Sequence, residues 1–284
     1  MKALIDGDIL LYRVGFGAEA EEGSVAISRM DELIHRIITT TNSDSHQIYL
    51  SDGRDSTFRY RLNNNYKGNR KQPKPLHYQL LKEYLIEQHS AIVAVDEEAD
   101  DLMGIEQSKY IKEFLQANYL EHWETIICSI DKDLLQIPGN HYNFVKDEFI
   151  TITEDEGKHF FYLQLLMGDK ADNIPGITGI GVAKATNILE SYLGDAEEVI
   201  FKVVQNSYRN WLQDFWADQG SWTELQEQYM NDMILLNGQM LKIRTYKDEL
   251  WQLPTNLGQK GVEKVSSLPF LGEGIDVGLQ SMDA

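Results

Sequence analysis

The sequence predicts an α/β protein: a mostly parallel sheet flanked by helices, followed by a helical subdomain with a helix–turn–helix. Three observations lead there. Short apolar, β-branched runs alternate with helical patterns through the first 150 residues. Four of those runs end in carboxylates. From Glu156 onward the pattern is helical.

The elements follow in order. Residues 2–12 read as a strand running into a turn that carries Asp6 and Asp8. Ser28 to Thr40 has helical spacing through Met30, Leu33, Ile34, Ile37 and Ile38, with Ser28 as N-cap. Gln47 to Ser51 is a second strand, ending at Asp52. Pro73 and Pro75 close the segment after it, and Leu76 to Gln88 is a helix with Leu80, Leu81, Tyr84 and Leu85 on its apolar face. Ala91 to Val95 is a third strand, leading to Glu98, Asp100 and Asp101. A helix over Asp100 to Tyr119 begins with acids, which suits its dipole. Thr125 to Ile130 is the fourth strand, leading to Asp131 and Asp133, and His141 to Thr153 alternates like a hairpin. These readings divide the chain into 1–155, a sheet domain with the basic segment 54–75; 156–255, a helical subdomain; and 256–284, a glycine-rich tail read as flexible.

Ligands of open α/β sheets gather at the carboxyl ends of the strands. Carboxylates crowded there cannot all stay ionised without a counter-cation. Hard oxygen ligands suit Mg²⁺ or Mn²⁺, so the first expectation is a multi-carboxylate metal site. The chain has 26 basic and 45 acidic residues, a net charge of −19, which argues against a nonspecific nucleic-acid binder. Distribution matters more than the sum. Between Gly53 and Lys74 stand Arg54, Arg59, Arg61, Lys67, Arg70, Lys71 and Lys74, against the single acid Asp55. That run reads as a local anion-binding surface beside Asp52.

A second constellation spans Leu166 to Ala185. Asp169 and Asp172 are three apart, so a helical turn could aim both at one spot, with Pro175 and Gly176 ending it. Gly179 and Gly181 then open a helix over Val182 to Leu193, with Lys184 in its first turn. Free N–H groups at a glycine turn and helix start make an anion clamp.

These residues together resemble the 5′ nuclease superfamily, the flap endonucleases and 5′→3′ exonuclease domains of bacterial DNA polymerase I, and most of all its stand-alone bacteriophage-type members. The resemblance rests on Ile5-Asp6-Gly7, Ser51-Asp52-Gly53, Tyr66-Lys67-Gly68-Asn69-Arg70, Glu98-Ala99-Asp100-Asp101, Asp131-Lys132-Asp133-Leu134-Leu135 and Gly168-Asp169-Lys170-Ala171-Asp172-Asn173, in that order. It implies a PIN-like sheet domain and a helix–three-turn–helix. It implies Asp6, Asp52, Glu98, Asp100 and Asp101 in one metal cluster, and Asp131, Asp133, Asp169 and Asp172 in a second, holding two or more Mg²⁺ or Mn²⁺ ions. Lys67 and Arg70 match a catalytic pair at the scissile phosphate, and Tyr66 an aromatic that stacks on the terminal base. Lys71, Gly176, Gly179, Gly181 and Lys184 fall to DNA binding, with K⁺ held at the turn. The implied substrate is DNA with a 5′ flap, nick or duplex end, extending to RNA–DNA hybrids, cut to 5′-phosphate and 3′-hydroxyl products in primer removal or repair, with replication proteins as partners. Asp8 departs from the neutral residue usual in relatives and is read as a turn residue. The stretch from Lys67 to Val93 is short for an arch over the site.

Two other readings compete: a PIN-like ribonuclease, against which Gly176 to Lys184 argues, and a non-enzymatic binder of branched DNA, against which nine intact carboxylates argue. Cys128 is the one cysteine and reads as core. The seven histidines show no ligand spacing, and Trp211, Phe215, Trp216 and Trp222 read as packing. No charged leader and apolar signal segment precedes the first strand, and no apolar run reaches membrane length. The expectation is a soluble, monomeric, cytoplasmic protein, in the host cytoplasm if phage-encoded.

Overall fold

The computed structural model describes residues 1–116, 124–216 and 221–254. The tail 256–284 and the end of the helix expected to reach Tyr119 lie outside the described residues.

Strand β1 (Lys2–Asp6) leads directly into helix α1 (Gly7–Gly17). The expected turn is therefore a helix. Its signal was in the sequence: Leu10, Leu11 and Val14 are buried at helical spacing, and Asp6 caps it by accepting the Ile9 N–H at 3.1 Å. Helix α2 (Gly23–Thr40) starts earlier than Ser28, because small Ala26 already belongs to the buried stripe of Met30, Leu33, Ile34 and Ile37. Strand β2 (Ser45–Leu50) is followed by α3 (Phe58–Leu62) and α4 (Tyr78–His89), the latter ended by Ser90 in a left-handed conformation. On α4, Leu81 and Leu85 are buried as expected, whereas Leu80 is exposed. Strand β3 (Ile92–Val93) is shorter than expected, and α5 (Ala99–Gln116), β4 (Thr125–Cys128), and the hairpin β5 (Gly139–Asn143) and β6 (Glu148–Ile152) follow.

The sheet order is β3-β2-β1-β4-β5-β6, parallel except for the β5–β6 hairpin. Strand β1 lies between β2 and β4, so the strand order reverses beside it and the two crevices at its carboxyl end are natural ligand sites. The period-2 alternation of strands separates two cores. Ala3, Ile5, Ile48, Leu50, Ile126 and Cys128 face α1, α2 and α4. Leu4, Tyr49 and Ile127 face the other way, against Ala99 and Met103 of α5. Burial on both faces explains why these strands read as continuous apolar runs.

Helix α6 (Glu154–Met167) opens with a capping box between Thr153 and Glu156. It forms a third core with α7 (Val182–Leu189), α8 (Glu197–Trp216) and α9 (Glu224–Leu241). Between α6 and α7 the chain makes a small hairpin, β7 (Gly168–Asp169) against β8 (Ile174–Pro175). The expected helical turn at Asp169 and Asp172 is thus a β-turn, because Gly168 at φ +68° and Asn173 at φ +59° cannot continue a helix. A Cβ on Gly168 would lie 2.2 Å from the Gly176 nitrogen.

Gly168→Ala is therefore expected to lower the unfolding free energy by about 3 kcal/mol in urea titration, from left-handed strain plus collision. A loss under about 0.5 kcal/mol would show that the hairpin tolerates both.

Candidate active site

Asp6 ends β1, and its carboxylate accepts the Ile9 N–H at 3.1 Å and the Ser129 hydroxyl at 2.6 Å. Ser129, just beyond β4, in turn accepts the Asp131 N–H at 2.9 Å, so one hydroxyl links the acids of two adjacent strands. Asp131 caps the next turn by accepting the Asp133 N–H at 2.9 Å. Asp100 sits in the first turn of α5 and accepts no hydrogen bond among the described residues. Removal from water, then Asp6, then Asp131 and Glu98 hold its carboxyl well above the usual range. Burial, and then Asp8, push Asp6 up as well. Burial and the charges of Asp131 and Asp169 push Asp133 up to about 7. Asp169 accepts the N–H groups of Ala171 at 2.7 Å and Asp172 at 3.3 Å, which fixes the hairpin turn.

The basic loop meets this acid set. Lys67 sits at φ +53° and its Nζ lies 2.5 Å from Glu98 Oε1 and 3.7 Å from Asp172 Oδ2. Arg70 pairs with Asp172 Oδ1. Burial would raise Glu98, but Lys67 and Arg59 bring it down to about 2. The loop is also held by its backbone: Lys67 N–H donates to Asp172 O at 2.9 Å, Asn69 Nδ2 to Lys170 O at 2.6 Å, and Asn173 Nδ2 to Asn65 O at 2.9 Å.

Several site residues differ from expectation. Tyr66 is 1% exposed and packs in the helical core, so it offers no ring face to a base. Its hydroxyl instead donates to Glu98 at 2.7 Å and Asp172 at 3.0 Å, bridging the two acid groups. Asp101 is 0% exposed and gives both oxygens to Arg59, at 2.5 and 2.9 Å. It also accepts the N–H groups of Glu98 and Arg244, each at 3.0 Å, and is a structural anion. Asp52 follows β2, but its side chain is 60% exposed and its ion-pair partner is Lys82, at 3.8 Å. Asp8 is no turn residue: from the first turn of α1 it accepts the Ser51 N–H at 3.1 and 3.2 Å, tying β1 to the end of β2. Arg59 is buried and so leaves the basic surface, while Arg54, Arg61 and Lys71 remain exposed.

Among the described residues no three or more acids, histidines or cysteines are grouped so as to hold a metal ion as they stand. The donor set nevertheless fits a hard divalent cation. Burial comes first, and the charge of Asp131 then helps to raise the pKa of Asp6, Asp100 and Asp133, as Asp6 does that of Asp100; carboxylates so crowded repel one another unless a cation neutralises them.

At the turn, Gly179 has φ +80°, but Gly181 has φ −107°, open to any residue, and serves as the N-cap of α7. Gly179, Gly181 and Lys184 are exposed, while Gly176 is half-buried against Met167 and Gly168. A groove of about 1100 Å³ runs from Lys132 and Asp169 past this turn to Trp211, Tyr229 and Met233. Cys128 is buried, as expected.

The sequence reading placed Arg59 on the basic surface and did not single out Glu97, Ser129, Gln164 or Arg244. Glu97 stood within the acidic run 96–101. Arg59 carried no local signal, because its partner Asp101 lies 42 residues away.

A parallel α/β sheet with acids at its strand ends, faced by a lysine and an arginine from one loop, defines a class of nucleases. The chain belongs to the 5′-3′ exonuclease family, whose N-terminal resolvase-like domain matches residues 1–161. It is 28% identical over 222 residues to the 5′-3′ exonuclease of Buchnera aphidicola subsp. Schizaphis graminum, covering 73% of this chain and 72% of that protein. It is 28% identical over 207 residues to flap endonuclease Xni of Shewanella piezotolerans, covering 66% and 76%. It is 28% identical over 225 residues to DNA polymerase I of Bacillus caldotenax, covering 70% of this chain but only 24% of the polymerase. Its fold is that of the T5 D15 protein co-crystallised with metal ions, with TM-score 0.54 at 19% identity over 86% of this chain and 90% of that one. Zinc-bound T5 5′-exonuclease gives TM-score 0.55 at 17% identity over 87% and 91%. Among the described residues no helix is long and apolar enough to cross a membrane.

Two outcomes follow from these contacts. Asp101→Asn should lower stability by roughly 3 kcal/mol in denaturant, since it strands buried Arg59; unchanged stability would return Asp101 to the ligand set. In chelator, Asp133 binds a proton in the folded state up to about pH 7 but only to about 3.8 when unfolded. Its contribution to stability is therefore present below pH 4 and lost as pH rises to 7. Mg²⁺ should accordingly raise the melting temperature more at pH 8 than at pH 5.5, and an equal rise at both would contradict the assignment.

Proposed function

We propose that the protein is a divalent-metal-dependent 5′→3′ exonuclease and structure-specific 5′-flap endonuclease. Its substrate is DNA with a 5′ flap, nick or duplex end, cut to a 5′-phosphate and a 3′-hydroxyl in primer removal or repair. The observation that carries this reading is the meeting of Lys67 and Arg70 with the crowded acids at the strand ends. Of the nine acids first considered, seven support it: Asp6, Glu98, Asp100 and Asp131 on the sheet side, and Asp133, Asp169 and Asp172 opposite. These carboxylates would hold Mg²⁺ or Mn²⁺, which would supply water activation and charge neutralisation at the leaving oxygen.

The chain's own groups do the rest. Ser129 and the Ile9 N–H orient Asp6, and the turn amides of Ala171 and Asp172 orient Asp169. Lys67 and Arg70 rest on Glu98 and Asp172, and an arriving phosphate offers them a second anion. One such charged donor on the transition-state oxygens is worth roughly 3 kcal/mol. Tyr66 holds Glu98 and Asp172 in register while these cations turn to the phosphate.

The glycine turn is read as a helix–three-turn–helix. Exposed Gly179, Gly181 and Lys184 lie at the start of α7, beside the groove that leads to Asp169. Backbone N–H groups there suit a duplex phosphate, with K⁺ at the turn, and Lys71 adds a contact from the basic loop. The division into a catalytic unit 1–155 and a helical unit 156–255 belongs to the same reading.

Product mapping on 5′-flap, nicked and blunt DNA, with an RNA flap alongside, tests the proposal; cleavage that survives chelator, or prefers RNA, opposes it. Lys67→Ala should slow cleavage by about 100-fold while DNA affinity in Ca²⁺ changes less than about threefold. Equal losses would reduce Lys67 to a tether.

A further inference from the structure

Asp6 takes its hydrogen bonds from Ile9 and Ser129, close by at the strand ends. Asp133 takes one from the helical core. Gln164 of α6 is 2% exposed, and its Nε2 donates to Asp133 Oδ1 at 2.8 Å. Its Oε1 accepts from Gln136 Nε2 at 2.7 Å. Gln136, equally buried, donates again to Leu241 O at 2.8 Å and accepts the Ile243 N–H at 3.2 Å. A relay of two amides thus runs from the chain beyond α9 to one carboxylate.

Neither amide can rotate without stranding a buried polar group, which costs about 1–3 kcal/mol. The choice of glutamine has a chemical reason. At position 164 the side chain must accept from Gln136 and donate to Asp133, and an uncharged amide does both. A carboxylate would add another anion beside Asp131, Asp133 and Asp169. An aliphatic chain would fill the space and orient nothing.

We propose that Gln164 is a positioning residue for Asp133. It fixes Oδ1, while Oδ2 accepts no hydrogen bond among the described residues and is left to a cation. The inference rests on the reading of Asp133 as a metal-facing carboxylate. Loss of such support around a metal ligand typically lowers metal affinity or activity 10–100-fold.

The test uses the full chain and Mn²⁺ as probe. Electron paramagnetic resonance of free Mn²⁺ gives the dissociation constants of wild type and Gln164→Leu, alongside kcat and KM on a 5′-flap DNA and thermal unfolding in chelator. The weakest Mn²⁺ site should lose about tenfold or more in affinity, with kcat falling in step and KM unchanged. Wild-type Mn²⁺ affinity in Gln164→Leu would overturn the inference, even if the variant were less stable. Absence of Mn²⁺ binding to the wild type would overturn the metal reading of the site, and the inference with it. If Gln164→Leu fails to fold, Gln164→Met, whose unbranched chain fills the same channel, is measured in the same way.

Discussion

The buried pair of Arg59 and Asp101 holds the two halves of the molecule in register. Arg59 comes from α3 and Asp101 from α5, and the same guanidinium donates to Met240 O at 2.7 Å and Lys242 O at 2.9 Å, at the end of α9. Asp101 returns a bond to the Arg244 N–H. Arg244 pairs with buried Glu97 at 2.8 Å and lies 3.8 Å above the Phe58 ring. Charges this deep stabilise only when all their bonds are made. Here the Arg59 guanidinium and both Asp101 oxygens have their partners, though Arg244 Nε is buried without one among the described residues; the set fastens sheet, basic segment and helical bundle at one point, and Glu98 and Asp100 stand just before Asp101 in the chain.

That arrangement explains the electrostatics. The protein pairs some anions directly with cations, at Glu98, Asp101 and Asp172, and leaves others where burial and neighbouring acids outweigh any cation, at Asp6, Asp100 and Asp133. The first kind shapes the site and the second leaves it short of positive charge. An acidic chain with a short basic loop thus offers positive charge to an anion locally instead of along its whole surface.

The alternation of strand and helix, the hairpin and the acid-tipped strands were legible in the sequence because they are local patterns. Helix α1 was legible in principle but hidden, since Asp6 looked like a ligand when it was also a cap. Tyr66 and Asp101 were misplaced for another reason. A motif fixes which residues lie near one another in the chain, not which way each side chain points. The orientation of Tyr66 depends on Phe161, Leu165 and the rest of a core built from residues a hundred positions later. Gln164 was invisible for the same reason, because nothing near it in sequence marks it as the neighbour of a carboxylate.

The loop from Asn65 to Arg70 touches the β7–β8 hairpin through four bonds that involve main-chain atoms on one side or both. A segment sewn down in this way behaves as a doorframe and not as a door. Lys67 and Arg70 ride on this fastened loop, so the placing of their charges beside Glu98 and Asp172 is set by the fold itself.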